Sequence, residues 1–234
     1  MGNEVTEAHR IYGQLWRKTV ALLKSGGLRI DPLLRNKSGD LRRGVTLVAR
    51  PDAGVRKQAA AFVRKAAVIC PNQHFYQPAE LHMTVLAIIP GSESWRTQIH
   101  RLSAYRTVLD RVLKGRRTFS VKFQGVTASP DAVMIQGFPV DSALAQLREE
   151  LRAAFRQHGL GENLDRRYKI ATAHLTVIRF FKPKADWQRL LAFLQAHRET
   201  DFGETRFQSL QLIWSDWYAS VGIARVLQEY PLQN

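Results

Sequence analysis

The segment Ala173-His174-Leu175-Thr176-Val177-Ile178-Arg179 decides how the rest of the chain is read. It sets a histidine and a threonine two residues apart in an apolar, β-branched run, the composition of a strand. Successive strand residues point to opposite faces, so His174 and Thr176 emerge on the same side. A second segment, Leu81-His82-Met83-Thr84-Val85-Leu86, repeats the pattern. Two such strands can present two imidazoles and two hydroxyls to one cleft. With 7 His and 23 Ser plus Thr in 234 residues, composition alone gives roughly 0.7 His-x-Ser/Thr triplets. One copy therefore says little, and two copies in matching strand contexts say much more.

The surroundings of the two segments repeat as well. Val45-Thr46-Leu47-Val48-Ala49, then Pro51-Asp52, then a helical run from Val55 to Val68 lie ahead of the first. Ala132-Val133-Met134-Ile135, then Pro139 and Asp141, then a helical run from Ala143 to Phe155 lie ahead of the second. Another helical pattern follows each motif. The order strand, helix, motif strand, helix is thus a degenerate internal repeat. It predicts an α+β fold of two pseudo-symmetric lobes, antiparallel sheets with helices on their outer faces and a central cleft.

The paired His-x-Thr-aliphatic motifs, His82-Met83-Thr84-Val85 and His174-Leu175-Thr176-Val177, resemble those of the 2H phosphoesterase superfamily. That superfamily includes bacterial 2′-5′ RNA ligase-like proteins and 2′,3′-cyclic phosphodiesterases. The resemblance spans about residues 44–229. Arg179 is similar to an arginine common after the second motif in the ligase-like branch. Ala173 departs from the proline that many members carry there, and the long N-terminal arm is a second departure. What the resemblance implies is metal-independent catalysis with no cofactor, His82 and His174 as the acid/base pair, and threonine hydroxyls at the phosphate. It also implies His174 as the base that activates water and His82 as the acid.

The residue types suit that chemistry on their own terms. Breaking a phosphodiester needs in-line positioning, proton transfer at two oxygens and donors to the phosphoryl oxygens. Histidine titrates near neutrality, so one imidazole can take a proton while its partner gives one. Thr84 and Thr176 can donate to the non-bridging oxygens. Neither motif has an acidic or histidine neighbour at metal-ligand spacing. Arg179 lies three residues after Thr176, so strict alternation puts it on the opposite face, and only a twist or bulge brings it to a phosphate. For the rest of the substrate, Tyr76 (next to Phe75) and Tyr168 precede the two motifs, and Trp217 sits with Trp214 and Tyr218 at a hairpin tip. These rings can stack on bases. Arg35, Lys37, Arg42, Arg43, Arg166, Arg167 and Lys169 can rim the cleft with positive charge.

Composition agrees with an acidic partner. The chain carries 35 Lys plus Arg against 20 Asp plus Glu, a formal charge of +15. Nucleic acid or a nucleotide is the first partner this favours, and an anionic membrane surface the second. A single cysteine, Cys70, excludes an intramolecular disulfide and fits a reducing, cytoplasmic setting. No apolar run approaches the ~18 residues of a spanning helix, so no stable membrane association is expected. Two other activities fit the same residues: a non-catalytic module that binds RNA ends or nucleotides, and a phosphodiesterase of a small cyclic or lipid-like phosphate.

Residues 1–43 read as an N-terminal helix and basic arm, and 44–234 as the bilobal domain. Apolar residues at three- and four-residue spacings predict a helix over 4–24, ended by Ser25-Gly26-Gly27. Gly44 to Ala49 reads as a strand and 71–78 as a loop. The first motif strand runs from Leu81 to Ile89 and stops at Pro90-Gly91. A helix from Trp95 to Lys114 and a hairpin of 118–126 and 132–137 follow. A helix capped by Asp141 runs to His158, the second motif strand covers 170–181, and the last helix covers 184–197. Thr205 to Trp214 and Tyr218 to Gln228 close the chain as a hairpin.

Overall fold

The structure, a computed structural model, describes residues 2–25, 27–165, 169–182 and 186–234. Gly26, Arg166, Arg167, Tyr168 and Lys184, which the sequence reading uses, lie outside the described residues. The chain opens with α1 (Gly2–Ser25), whose buried positions Ala8, Tyr12, Thr19 and Leu23 form one stripe. A short 3-10 turn at Pro32–Arg35, capped by the Asp31 carboxylate, leads into the first half of the repeat. That half is β1 (Arg43–Ala49), α2 (Ala53–Ile69), β2 (His74–Phe75) and β3 (Met83–Ser92). The Asp52 side chain accepts from the Val55 N–H and so starts α2, as the Pro51-Asp52 pair predicts. Next come α3 (Arg96–Ile99), α4 (Leu102–Leu113), β4 (Phe119–Ser129), β5 (Ala132–Pro139), α5 (Ala143–Gln157) and β6 (Leu175–Arg179). The chain ends with α6 (Trp187–Ala196), β7 (Asp201–Phe207), β8 (Ser209–Asp216) and β9 (Arg225–Pro231).

All strand pairs are antiparallel, in the order β7-β4-β5-β6-β3-β1-β8-β9, with β2 added beside β6. The order is a pseudo-twofold. The motif strands β6 and β3 stand at the centre, β5 and β1 flank them, and β4 and β8 come next. Each lobe therefore holds one motif, as the internal repeat requires. At the centre β3 and β6 share one register pair among the described residues, Met83 opposite Leu175, and beyond it the two lobes splay. Although β7 and β8 belong to opposite ends of the order, only Gln208 separates them in sequence. The sheet must therefore curl until its two ends meet. One apolar core fills the face away from the motifs, with Val45, Leu47, Val85, Val133, Ile135 and Val177 from the strands and Phe62, Leu109, Leu147 and Leu194 from the helices.

Several elements differ from the sequence reading. Pro90-Gly91 does not stop the first motif strand, because a register shift between Arg43 and Val45 makes a bulge there, a place where the missing proline N–H costs no ladder bond. The expected helix from Trp95 to Lys114 breaks at Arg101, whose φ of −88° and ψ of 7° leave the helical region. The loop over 71–78 contains β2, which pairs His74 with Arg179 and Phe75 with Ile178. The second motif strand is shorter than 170–181. Ahead of Leu175 the carbonyls of Ile170 and Thr172 accept from the Arg152 and Arg148 side chains instead of a neighbouring strand. Finally, Thr205 to Trp214 is not one strand, because β7 pairs with β4 and β8 with β1 and β9.

Candidate active site

The motif strands carry a matching irregularity. In β3, Thr84 faces Val48 and Leu86 faces Leu47, so Val85 is an extra residue. In β6, Thr176 faces Met134 and Ile178 faces Val133, so Val177 is an extra residue at the equivalent place. A bulge of one residue reverses the alternation that follows it. Ala87 in one lobe and Arg179 in the other are thereby turned to the side of the threonines.

His82, Thr84, Ala87, His174, Thr176 and Arg179 all line one cavity of about 180 Å³, as Tyr76 and Trp217 do. The bulge is what joins Arg179 to this group. Its Nε donates to the Tyr76 hydroxyl at 3.0 Å and its Nη1 to the Asp131 carboxylate at 3.2 Å. Tyr76 is only 4% exposed and meets His74 edge-on, so it offers no ring face for a base to stack on and instead holds Arg179 in place. Trp217 packs on Gly91, where a Cβ would come within 2.7 Å of its ring. The guanidinium carbons of Arg42 and Arg179 lie 5.4 Å and 5.8 Å from its centre. Tyr168 lies outside the described residues. Of the basic rim, Arg42 is bonded to Asp31, Asp40 and Tyr218, and Lys37 donates to Ser220.

Each imidazole is held from behind. His82 Nδ1 donates to the Glu80 carbonyl at 2.7 Å, which leaves Nε2 as the nitrogen with a lone pair. The Glu80 carbonyl also accepts, with those of Ala79 and Leu81, from Arg50 Nη1. His174 Nδ1 is 2.9 Å from the Thr172 hydroxyl, a contact in which either atom can donate. Arg148, on α5, ties the two motifs together. It is 3% exposed and donates from Nε to the Val85 carbonyl and from Nη2 to those of Thr84 and Thr172. Sequence reasoning does not find Arg148, Arg50 or Asp131. A signal for the first exists, since Arg148 and Arg152 fall on the buried stripe of α5 among Leu144, Leu147, Leu151 and Phe155, where a cation is out of place.

The sequence model of the 2′-5′ RNA ligase superfamily matches residues 55–217. The chain belongs to this superfamily. The fold is that of its solved structures. TT0787 of Thermus thermophilus is similar at 20% identity with a TM-score of 0.58, over 82% of this chain and 97% of that one. E. coli LigT complexed with 3′-AMP is similar at 13% identity and a TM-score of 0.58, over 82% of this chain and 99% of that one. The same LigT complexed with NADP+ gives 14% and 0.54, with the same coverage. No curated protein matches the chain. The superfamily match begins at residue 55, so α1, the arm after it and β1 lie outside it.

Among the described residues no group of three or more His, Cys, Asp or Glu side chains is placed to hold a metal ion. No helix among them is long and apolar enough to cross a membrane.

Both motif imidazoles are strongly shifted. His82 and His174 are both lowered from 6.5 to about 4, mainly by burial; Arg50 and Arg179 add to the lowering of His82 against the Glu80 carbonyl, and Arg148, His82 and Arg179 add to that of His174 against Asp131. His74 is lowered to about 4 by burial and by Lys37 and Arg179. A group with a depressed basic pKa stays neutral in the fold while its unfolded counterpart takes up a proton. Its stabilisation is complete above pH 6.5 and is lost as pH falls towards 4. Denaturant unfolding is therefore expected to show constant stability above pH 6.5 and a loss on the order of 2 kcal/mol per imidazole by pH 5. A total change below about 1 kcal/mol between pH 7 and 5 would contradict the burial of these three rings.

Proposed function

We propose that the protein is a metal-independent phosphodiesterase that opens a 2′,3′-cyclic phosphate or cleaves a 2′-5′ linkage in RNA or a nucleotide. The observation that carries this reading is the convergence of His82, Thr84, His174, Thr176 and Arg179 on one cavity. The threonine hydroxyls and the Arg179 guanidinium donate to the non-bridging oxygens of the phosphate. Arg179 is suited to that role because Tyr76 and Asp131 fix its orientation. One imidazole takes a proton from water as the water oxygen bonds to phosphorus. The bond from phosphorus to the ribose oxygen breaks, and the other imidazole, which enters the step protonated, gives that oxygen a proton and ends neutral. One water is consumed and one monoester and one hydroxyl are formed, so the proton lost by the acid is the one gained by the base.

The hydrogen bonds also bear on the order of roles. A neutral His82 that donates from Nδ1 has its Nε2 lone pair free for the cavity, which suits the base. A protonated His174 donates from Nδ1 to the Thr172 hydroxyl oxygen and keeps an Nε2–H for the cavity, which suits the acid. This assignment reverses the one implied by family resemblance. Nucleotide chemistry is also consistent with the relatives, since LigT has been crystallised with 3′-AMP, NADP+ and ATP.

The test is hydrolysis of the four 2′,3′-cyclic nucleotides and of a 2′-5′-linked oligonucleotide in excess EDTA. Turnover that survives the chelator is expected on at least one of them. Tight retention of all of them without turnover would replace the enzyme with a binding module for RNA ends or nucleotides.

A further inference from the structure

The two motif histidines are held from behind by unlike partners. His82 Nδ1 meets a backbone carbonyl, that of Glu80, whose direction the chain fixes. His174 Nδ1 meets the Thr172 hydroxyl, which turns about its own bond and can either donate or accept. A rotating hydroxyl aims a ring only if something aims the hydroxyl. The sheet does not hold this stretch, because β6 begins at Leu175 and residues 169–174 lie in no strand.

The support comes from α1. Tyr12 is 1% exposed, with its ring edge-on to Phe138 of β5. Its hydroxyl donates to the Gly137 carbonyl and accepts from the Gly137 N–H, each at 3.2 Å. Gly137 lies directly against the stretch ahead of His174, since a Cβ on it would stand 1.7 Å from the Ala173 carbonyl oxygen. The Thr172 side chain is a further hydrogen-bond partner of the Tyr12 hydroxyl. Burial pushes Tyr12 up to about 12, so the hydroxyl keeps the proton that it gives to Gly137. Separate bonds dock the helix, from the Thr127 hydroxyl to the Tyr12 carbonyl and from the Thr19 hydroxyl to the Ala128 carbonyl. A phenylalanine ring would fill the same space, so packing alone does not explain the hydroxyl.

Resting on the phosphodiesterase reading above, we infer that Tyr12 is a positioning residue for His174, its hydroxyl fixing Thr172 so that the Thr172 oxygen faces Nδ1 and Nε2 faces the cavity. With the Thr172 proton directed to the Tyr12 oxygen, a lone pair of Thr172 is left for an Nδ1–H of His174. Tyr12 does not line the cavity and acts through Thr172, not on the substrate. Because α1 lies outside the superfamily match, this support is added to the motif from elsewhere in the chain.

The experiment measures kcat and KM of folded variants on whichever 2′,3′-cyclic nucleotide or 2′-5′-linked oligonucleotide the wild type turns over fastest. Tyr12→Phe is expected to lower kcat by ~10–100-fold with KM nearly unchanged, the scale of a slightly displaced catalytic group. Thr172→Val should lose a similar factor and the double variant no more, since both cut one chain of contacts. Thr172→Ser keeps the hydroxyl and should stay close to wild type. Thr127→Val and Thr19→Val loosen α1 without removing the Tyr12 hydroxyl, and they too should stay close to wild type. A wild-type kcat in Tyr12→Phe, or an equal loss in Thr127→Val and Thr19→Val, overturns the inference. Where Tyr12→Phe does not fold, a wild-type kcat in Thr172→Val overturns it instead. If the wild type turns over none of these substrates, the phosphodiesterase reading fails, and nitrogen NMR of the imidazoles decides the positioning separately. Tyr12→Phe is expected to shift the His174 ring resonances and leave those of His82 in place, and unmoved His174 resonances overturn the inference.

Discussion

Replacing either His82 or His174 with alanine is expected to lower kcat on the preferred phosphodiester by about 10²–10⁴-fold, the usual worth of a positioned proton donor or acceptor. The two losses should be far from additive, because an acid without its base, or a base without its acid, leaves the same uncatalysed proton transfer as rate-limiting. KM should change little, since on the proposed reading the phosphate is held by Thr84, Thr176 and Arg179 and not by the imidazoles. A second signature follows from the environment of the pair. In the free enzyme both rings are held near 4, mainly by burial. The acid limb of kcat/KM should therefore lie near pH 4, well below the ordinary histidine value of about 6.5, and kcat/KM should decline above it as the equally depressed proton donor loses its proton. The comparison is read from pH profiles of the wild type and the two variants. A variant within tenfold of wild type would remove that histidine from the proton transfers, and an acid limb at pH 6.5 would mean that the base is not buried as described.

Residue spacing alone makes this pair legible, because a strand returns to the same face every second residue and both motifs obey that rule between the histidine and the threonine. Arg179 obeys it only after the bulge at Val177. An inserted valine in a run of β-branched residues has no compositional mark, so the need for a bulge can be stated from sequence but its place cannot. The internal repeat offers the missing clue in retrospect, since Val85 is inserted at the same step after Thr84. Tyr76 misleads for a different reason. An aromatic residue in a loop ahead of a motif looks available for stacking, but the two-residue strand β2 draws it under β6, where its N–H donates to the Val177 carbonyl.

The N-terminal helix illustrates the limit of periodicity. The stripe of Ala8, Tyr12, Thr19 and Leu23 says that one face is buried but not against what. The side of the second lobe that it covers is decided by polar contacts with distant residues, Tyr12 with Thr127 and Gly137, and Thr19 with Ala128. These lie more than a hundred positions away in sequence. The separation of β7 from β8 is similarly hidden, because hydrophobic alternation runs through Gln208 with only one residue between the two strands.

Arg148→Ala is expected to destabilise the fold by about 3–5 kcal/mol, since each buried acceptor left without a donor costs ~1–3 kcal/mol. The splay that opens the cleft is the origin of this dependence. Strands that share only the pair Met83 and Leu175 cannot satisfy each other's carbonyls further along. The Arg148 guanidinium stands in for the missing strand neighbour, donating to Thr84 and Val85 on one side and to Thr172 on the other. Among side chains only arginine has several donors in a fixed plane, so Arg148→Lys should recover a minor part of the loss. The same bonds hold both motifs in register, because Thr84 is itself a motif residue and Thr172 contacts His174 Nδ1. A cavity-filling Arg148→Met should therefore lose activity beyond what its loss of stability explains, with kcat falling more than KM rises under conditions where the variant is folded. Denaturant midpoints and initial rates on the same samples separate the two effects. If Arg148→Ala unfolds within about 1 kcal/mol of wild type, the carbonyls of the splayed strands must find other donors, and the cleft does not depend on this side chain.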